Sequence, residues 1–262
     1  MAITRADIAA GFRALGVRPG DIVLMHSSLS AFGRVDGGAD AVIDGALDAL
    51  APEGTLVVPT LTGHADLRPE NPPHFDLRTQ PCWTGLIPET LRQRAEAIRS
   101  IHPTHSCAAI GAQAEELTRD HYRSPTPCGL TSPYFRVAAA GGRIAMVGCA
   151  LNVCTTCHTV EELANLDYVC QPEVAYGSCI GRDGRRIETP CRLHSYAGPD
   201  RDFPVLEPIL LERGLMRIGT VGACAVRLID AMGLIETALD KLRFDPLFLT
   251  VKRKGYDRSI TS

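Results

Sequence analysis

The residues best equipped to move protons are packed into one short segment, Asn152-Val153-Cys154-Thr155-Thr156-Cys157-His158-Thr159-Val160-Glu161-Glu162. His158 and Glu161 are three residues apart and would share one face of a helix. A carboxylate bonded to one imidazole nitrogen fixes the tautomer and raises the basicity of the other, and this is how a general base is made. Spacing alone allows Glu162, four residues on, equally well. A capped helix with a solvated His–Glu pair also accounts for the pattern. Thr155 or Thr156 can cap such a helix, leaving first-turn amides free to face an anionic or polarised group.

The same letters support other chemistry. Cys154-Thr155-Thr156-Cys157-His158 has the CxxCH spacing of covalent haem attachment, with His158 as axial ligand. Cys154, Cys157 and His158 can also be read as three ligands of a zinc site, which needs a fourth from elsewhere, Cys149 or His102 for example, that the spacing does not require. The bare CxxC would suit a redox thiol pair.

Two more segments carry hydroxyl and imidazole groups. Ser27, Ser28 and Ser30 follow an apolar run that ends at His26, and Gly33, Gly37 and Gly38 would let a ligand approach the backbone closely. The spacing matches neither a dinucleotide fingerprint nor a Walker loop. In Arg99-Ser100-Ile101-His102-Pro103-Thr104-His105-Ser106 two histidines stand three apart. Pro103 between them argues against a regular helix, so they are read as hydrogen-bonding residues that shape a pocket.

These side chains need a scaffold. A helix capped by Thr4 is expected through about Leu15, broken by Gly16 and by Pro19-Gly20. Short apolar runs at Ile22–Met25, Thr55–Val58, Ser106–Ile110 and Arg143–Val147 read as buried strands. Helical spacing covers residues 39–50, 86–94, 112–121, 156–166, 205–213 and 225–242. Residues 173–193 read as a β-hairpin around Arg182-Asp183-Gly184. Residues 248–251 read as a last strand, and the polar stretch 61–81 as a functional loop. The alternation predicts an α/β fold: one domain over 1–262, three layers of helix, sheet and helix, with a small antiparallel insertion.

The composition agrees with such a core, at 45% hydrophobic and 22% charged residues in 262. A net charge of −3 without a basic stripe argues against nucleic-acid binding. No export signal and no apolar run of membrane-spanning length is found, so a cytoplasmic chain without a membrane partner is expected. Ten cysteines lie mostly in apolar text and are read as free, buried thiols. Oligomeric state has no signature here.

Taken in order, HSSLSAFGRVDGG, FDLRTQPCWTG, RSIHPTHSCAAIG, LTRDH, CGLTSPY, TTCHTVEE, VGACAVRLIDA and DPLFL resemble the aminoglycoside 3-N-acetyltransferase family over nearly the whole chain. The resemblance implies transfer of acetyl from acetyl-coenzyme A to the 3-amino group of an aminoglycoside, with antibiotic resistance as the outcome and no metal. The compact loops leave a non-antibiotic amine as an alternative acceptor. The family's Asn-Thr-x-x-His-x-x-Glu pattern falls on Cys154, Thr155, His158 and Glu161, which selects Glu161 over Glu162 and puts Cys154 in place of the asparagine. His158 is then the base, Glu161 its orienting partner, and Thr155 a donor to the thioester. The coenzyme is implied to lie along Ser27, Ser28, Leu29, Gly33 and Val35, with His102 and Ser106 nearby. A polyamine acceptor calls for carboxylates, and Asp76, Glu161, Asp167 and Asp202 (or Asp200) are the candidates.

Overall fold

The structure, a computed structural model, describes residues 2–251; residue 1 and residues 252–262, the ends of the expected 1–262 domain, lie outside the described residues. Its first half runs α1 (Arg5–Leu15), β1 (Ile22–Ser27), α2 (Gly38–Leu50), β2 (Thr55–Pro59), β3 (His74–Asp76), α3 (Leu86–Gln93), β4 (Ile98–Arg99), β5 (Cys107–Gly111), α4 (Ala114–Thr118) and α5 (Pro133–Ala139). There follow β6 (Arg143–Val147), α6 (Thr156–Leu163), β7 (Cys170–Ile180), β8 (Arg186–His194), α7 (Glu207–Glu212), β9 (Met216–Val221), β10 (Cys224–Asp230) and α8 (Ala231–Phe244).

Seven strands form one mixed sheet in the order β4-β5-β2-β1-β6-β10-β9. The central strand β1 pairs in parallel with β2 and β6, and the outer neighbours are antiparallel. Because side chains alternate across a strand, Ile22 and Leu24 enter one face and Val23 and Met25 the other. Helices α1, α2 and α3 cover the Val23 face. Helices α4 to α8 cover the Leu24 face. A strand buried on both sides reads as a continuous apolar run, which is why Ile22–Met25 shows no polar alternation. Each fully buried aliphatic side chain here contributes roughly 1.5–3 kcal/mol. The expected three layers are present.

Local chemistry sets the element ends. Thr4 accepts the Asp7 amide while Asp7 accepts the Thr4 amide, a reciprocal cap, and Gly16 closes α1 at φ 103. The hairpin also forms, longer than expected, from Cys170 to His194. Its turn holds Gly184 at φ 79 and an Asp183 carboxylate accepting the Arg185 amide at 3.0 Å. Strand β3 joins it in a three-stranded sheet, so part of the 61–81 stretch is ordered strand.

Three expectations are corrected. Residues 225–230 are strand, not helix: Val226 and Leu228 are buried while Ala225 and Asp230 are exposed, and β10 pairs with β6 and β9. The helix starts only after Asp230, whose carboxylate accepts the Gly233 amide at 2.7 Å. Residues 248–251 form a turn with one bridge, Arg201 to Thr250, rather than a strand. The 112–121 helix shortens to α4, and α5 was not anticipated although Ser132 caps it and Pro133 opens it. No helix among the described residues is long and apolar enough to cross a membrane.

At its carboxyl end β6 is pinned to both of its neighbours, β1 and β10. The Ser28 amide donates to Val147 O at 2.9 Å, and the Gly148 amide donates to Ala225 O at 2.8 Å. Gly148 has φ 66, and a Cβ there would overlap the Ala31 Cβ and crowd Ser28 O. Gly214 has a similar φ of 69 with open space around it. Gly214→Ala is expected to cost about 1–2 kcal/mol from backbone conformation alone. Gly148→Ala is expected to cost clearly more, because it also forces the Ser28 turn off β6. Denaturant midpoints of the two variants compare these directly, and equal losses would contradict the overlap.

Candidate active site

A cleft of about 670 Å3 opens where the carboxyl ends of β1, β2 and β6 meet, the usual place for a ligand in an α/β sheet. His26, Ser27 and Ser28 reach it from β1, Pro59 and Leu61 from β2, and Cys149, Asn152 and Val153 from the turn after β6. Thr155 and His158 come from α6, Trp83 and Thr84 from the loop before α3. The segment after β8 supplies its other wall, from His194 through Tyr196, Asp200 and Arg201 to Phe203.

On α6 the side chain of His158 is about a third exposed and its Nδ1 lies 2.7 Å from Glu161 Oε2. A carboxylate only accepts, so Nδ1 carries the hydrogen and Nε2 keeps its lone pair. Glu161 has no exposure, and its other oxygen accepts from Arg201 Nε at 3.0 Å. Burial alone would raise the Glu161 pKa. The His158 hydrogen bond and the Arg201 guanidinium outweigh it and hold the carboxyl below its ordinary value. Arg201 is fixed in turn by Pro199 O at 2.7 Å and by the Tyr168 ring, 4.9 Å away. His158 also packs edge-on to Phe203 at 5.1 Å.

Glu162 turns elsewhere. Its carboxylate accepts from His194 Nε2 at 2.7 Å and from the Cys128 amide at 2.9 and 3.0 Å. Burial pushes its pKa up to about 7, against the opposing Thr126 and Cys128 hydrogen bonds. The choice between Glu161 and Glu162 left open by spacing is thus made by geometry. His158 pairs with Glu161.

Behind the cleft lies a network of buried imidazoles. His102 Nδ1 accepts the Thr104 and His105 amides at 3.2 and 3.0 Å, and its ring stacks on His121 at 4.4 Å. His121 lies between Ser100 Oγ at 3.0 Å and Pro127 O at 2.9 Å. Burial lowers His26 and His121 to about 4, and His102, His105 and His194 well below the ordinary histidine value.

Of the residues selected from sequence, Ser27, Ser28, Thr155 and His158 line the cleft, with Glu161 directly behind His158. Thr155 occupies the N-cap position of α6 but makes no side-chain capping bond, contrary to expectation. Leu29, Gly33 and Val35 follow Ser28 outside the cleft lining, around the short turn Leu29–Phe32. His102 and Ser106 do not reach the cleft either. Ser106 Oγ donates to Thr60 O at 2.8 Å, just past β2, and His102 stacks on the buried His121 ring. The expected ring of carboxylates is not assembled. Asp76 sits on β3 in the grip of Arg78 at 2.7 Å, which holds its pKa down to about 2. Asp167 is exposed beyond α6, and Asp202 lies outside the lining although its neighbours Arg201 and Phe203 are in it. Asp200, offered only as an alternative, is the aspartate that lines the cleft among the described residues.

Sequence reasoning missed His194, Arg201, Trp83, Tyr196 and Phe203. Arg201 is forty residues from Glu161, and no local spacing announces that pair. The CxxCH readings lose their geometry: Cys154 and Cys157 are both fully buried in the core, and among the described residues no group with metal-ligand spacing joins them to His158. All ten cysteines are free thiols, as expected.

The comparisons with known proteins converge. Residues 24–243 match the family model described as aminoglycoside 3-N-acetyltransferase. Aminoglycoside N(3)-acetyltransferase VII of Streptomyces paromomycinus is 33% identical over 259 residues, with 89% of each chain covered. The crystal structure of aminoglycoside acetyltransferase AAC(3)-Xa superposes with a TM-score of 0.81 at 32% identity, covering 95% of this chain and 94% of the other. AAC-IIIb, in a binary structure with CoASH, gives a TM-score of 0.78 at 25% identity, covering 96% and 99%.

The buried histidines give the fold an acid limit. Their pKa values are depressed in the folded chain, so below about 6.5 the unfolded chain takes up protons that the native state refuses. Stability therefore falls as pH drops, by about 1.4 kcal/mol per pH unit for each such group until its folded pKa is reached. Glu162, shifted upward, opposes this between about 4.5 and 7, but it is one group against several. Urea midpoints are expected to decline steadily from pH 7 to pH 5. A flat profile would show that these imidazoles are not held neutral.

Proposed function

The chain belongs to the aminoglycoside 3-N-acetyltransferase family, and on that premise we propose that it transfers the acetyl group of acetyl-coenzyme A to an amine, with His158 as general base. The observation that carries this reading is the His158–Glu161–Arg201 line, which leaves His158 Nε2 unbonded on the wall of the cleft. An amine enters water-equilibrated sites mainly as ammonium, which has no lone pair for attack. His158 Nε2 takes the proton as the nitrogen approaches the thioester carbon. Glu161 holds the ring in the required tautomer and stabilises the imidazolium that forms, and Arg201 keeps Glu161 ionised and aimed. As the tetrahedral adduct collapses to the amide, its nitrogen gives up its second proton to the departing thiolate, and His158 returns the first to water. The Thr155 hydroxyl, on the cleft wall at the start of α6, is suited to donate to the thioester oxygen as charge develops there. Ser27 and Ser28 offer partners for the pantetheine amides at the end of β1. Dependence on acetyl-coenzyme A fits a cytoplasmic site of action. Two core clusters sharing one sheet support reading the whole chain as one domain with the hairpin as an insertion.

The acceptor implied by membership is the 3-amino group of an aminoglycoside, with resistance as the consequence. A specific observation favours a second reading. Among the described residues Asp200 is the single carboxylate residue that lines the cleft, beside the cation Arg201 and the aromatic rings of Trp83, Tyr196 and Phe203. Such a wall suits an amine with one charge and an apolar or aromatic body better than a polycation. Thiol release from acetyl-coenzyme A, measured with a panel of aminoglycosides and of aryl- and alkylamines, decides between them.

His158→Ala is expected to lower kcat by roughly 10²–10⁴-fold while leaving coenzyme binding close to wild type. Glu161→Gln keeps the shape and removes the charge, and is expected to fall between the two. A His158→Ala enzyme with near-wild-type turnover would remove the base from the mechanism.

A further inference from the structure

We propose that His105, Cys128 and His194 form a binding site for a zinc-class divalent cation in the wall of the cleft beside His158. Ring nitrogens of the two histidines and the Cys128 sulfur lie within 4.8 Å of one another, although the residues come from three separate segments. Two nitrogens and a sulfur are the donor set of zinc and its borderline neighbours, and they discriminate against magnesium and calcium.

The surroundings are built as they are around metal-bound imidazoles, where the ring nitrogen away from the ion is held by a carboxylate or hydroxyl. His194 gives Nε2 to Glu162 Oε1 at 2.7 Å, and His105 gives Nδ1 to Thr104 Oγ1 at 2.9 Å. That assigns Nδ1 of His194 and Nε2 of His105 to the ion. Glu162 also takes the Cys128 amide on both oxygens, so one buried carboxylate positions two of the three ligands. Cys128 is fully buried, whereas both histidines line the cleft. The fourth position of a tetrahedral ion therefore faces the cleft, open to water or to a donor atom of a bound molecule, as in zinc sites with three protein ligands. Glu162, Cys170 and His194 form a second group with ligand spacing that shares His194. The two free imidazole nitrogens favour the first set. The acetyl transfer proposed above passes through no ion, and the metal site stands or falls independently of it.

The full-length protein, stripped with a chelator, is to be loaded with Co(II) or Zn(II) and the bound metal counted by mass spectrometry. About one ion per chain is expected, with the visible bands of tetrahedral Co(II) and a thiolate-to-cobalt charge-transfer band in the near ultraviolet. Cys128→Ser should abolish the charge-transfer band, and Cys170→Ser should leave it intact. His105→Ala should lose the ion, and Glu162→Gln should bind Zn(II) roughly 10–100-fold more weakly. Retained coenzyme binding checks that each variant is folded. Failure of the wild-type chain to hold any metal overturns the proposal. So does a charge-transfer band that survives Cys128→Ser, or one that disappears with Cys170→Ser instead.

Discussion

A carboxylate with no exposure sits at the centre of this structure. Glu161 lies where an isolated charge would be heavily penalised, and it stays ionised because His158 and Arg201 each take one of its oxygens. Removing either partner would leave a buried charge half compensated. The interaction does two further things. It turns His158 so that Nε2 is the free nitrogen, and it draws the segment around Arg201 against α6, closing one side of the cleft. Position and tautomer of the imidazole thus have a common origin. The Tyr168 ring and Pro199 O, which hold Arg201, belong to the same arrangement.

Consecutive residues on a helix point in directions about 100° apart, and α6 exploits this with Glu161 and Glu162. One glutamate serves His158 and Arg201, the next serves His194 and the Cys128 amide. A single turn of helix therefore organises two walls of the cleft. The rings of His158 and His194 come within 4.9 Å, so the two carboxylates hold neighbouring imidazoles by separate means. Burial holds the His194 pKa well below the ordinary histidine value, so it adds no positive charge beside the His158 ring.

Much of the frame was legible in the sequence. Ile22–Met25, Thr55–Val58 and Arg143–Val147 read as buried strands because strands covered on both faces tolerate only apolar side chains. Thr4 and the Asp183-Gly184 turn act through neighbours a few residues away, so their chemistry is visible locally. The stretch 225–242 misled because helical spacing runs on backward through Val226 and Leu228. Pairing of β10 with β6 and β9 decides its first six residues, and pairing is not encoded in period alone. At the site, His158 and its glutamate were visible at short range while Arg201 and His194 were not, being brought in by the chain's return after the hairpin. The aspartates failed for another reason. A lone aspartate in a loop has no periodic signature, and Asp76 is taken by Arg78 two residues away.

The wall of the cleft carries a further consequence for the acceptor. Among the described residues, its His26 and His194 are kept neutral by burial, its fixed cation is committed to Glu161, and Asp200 is its one carboxylate residue. Such a surface has little to offer several ammonium groups at once, since each would give up hydration for at most a weak partner. On the proposed reading it has more to offer a single amine beside His158, because a neutral amine loses less hydration on entry. Rings at Trp83, Tyr196 and Phe203 then provide apolar area for the rest of the molecule. On the proposed reading, the number of charges an acceptor carries matters as much as which amine it presents.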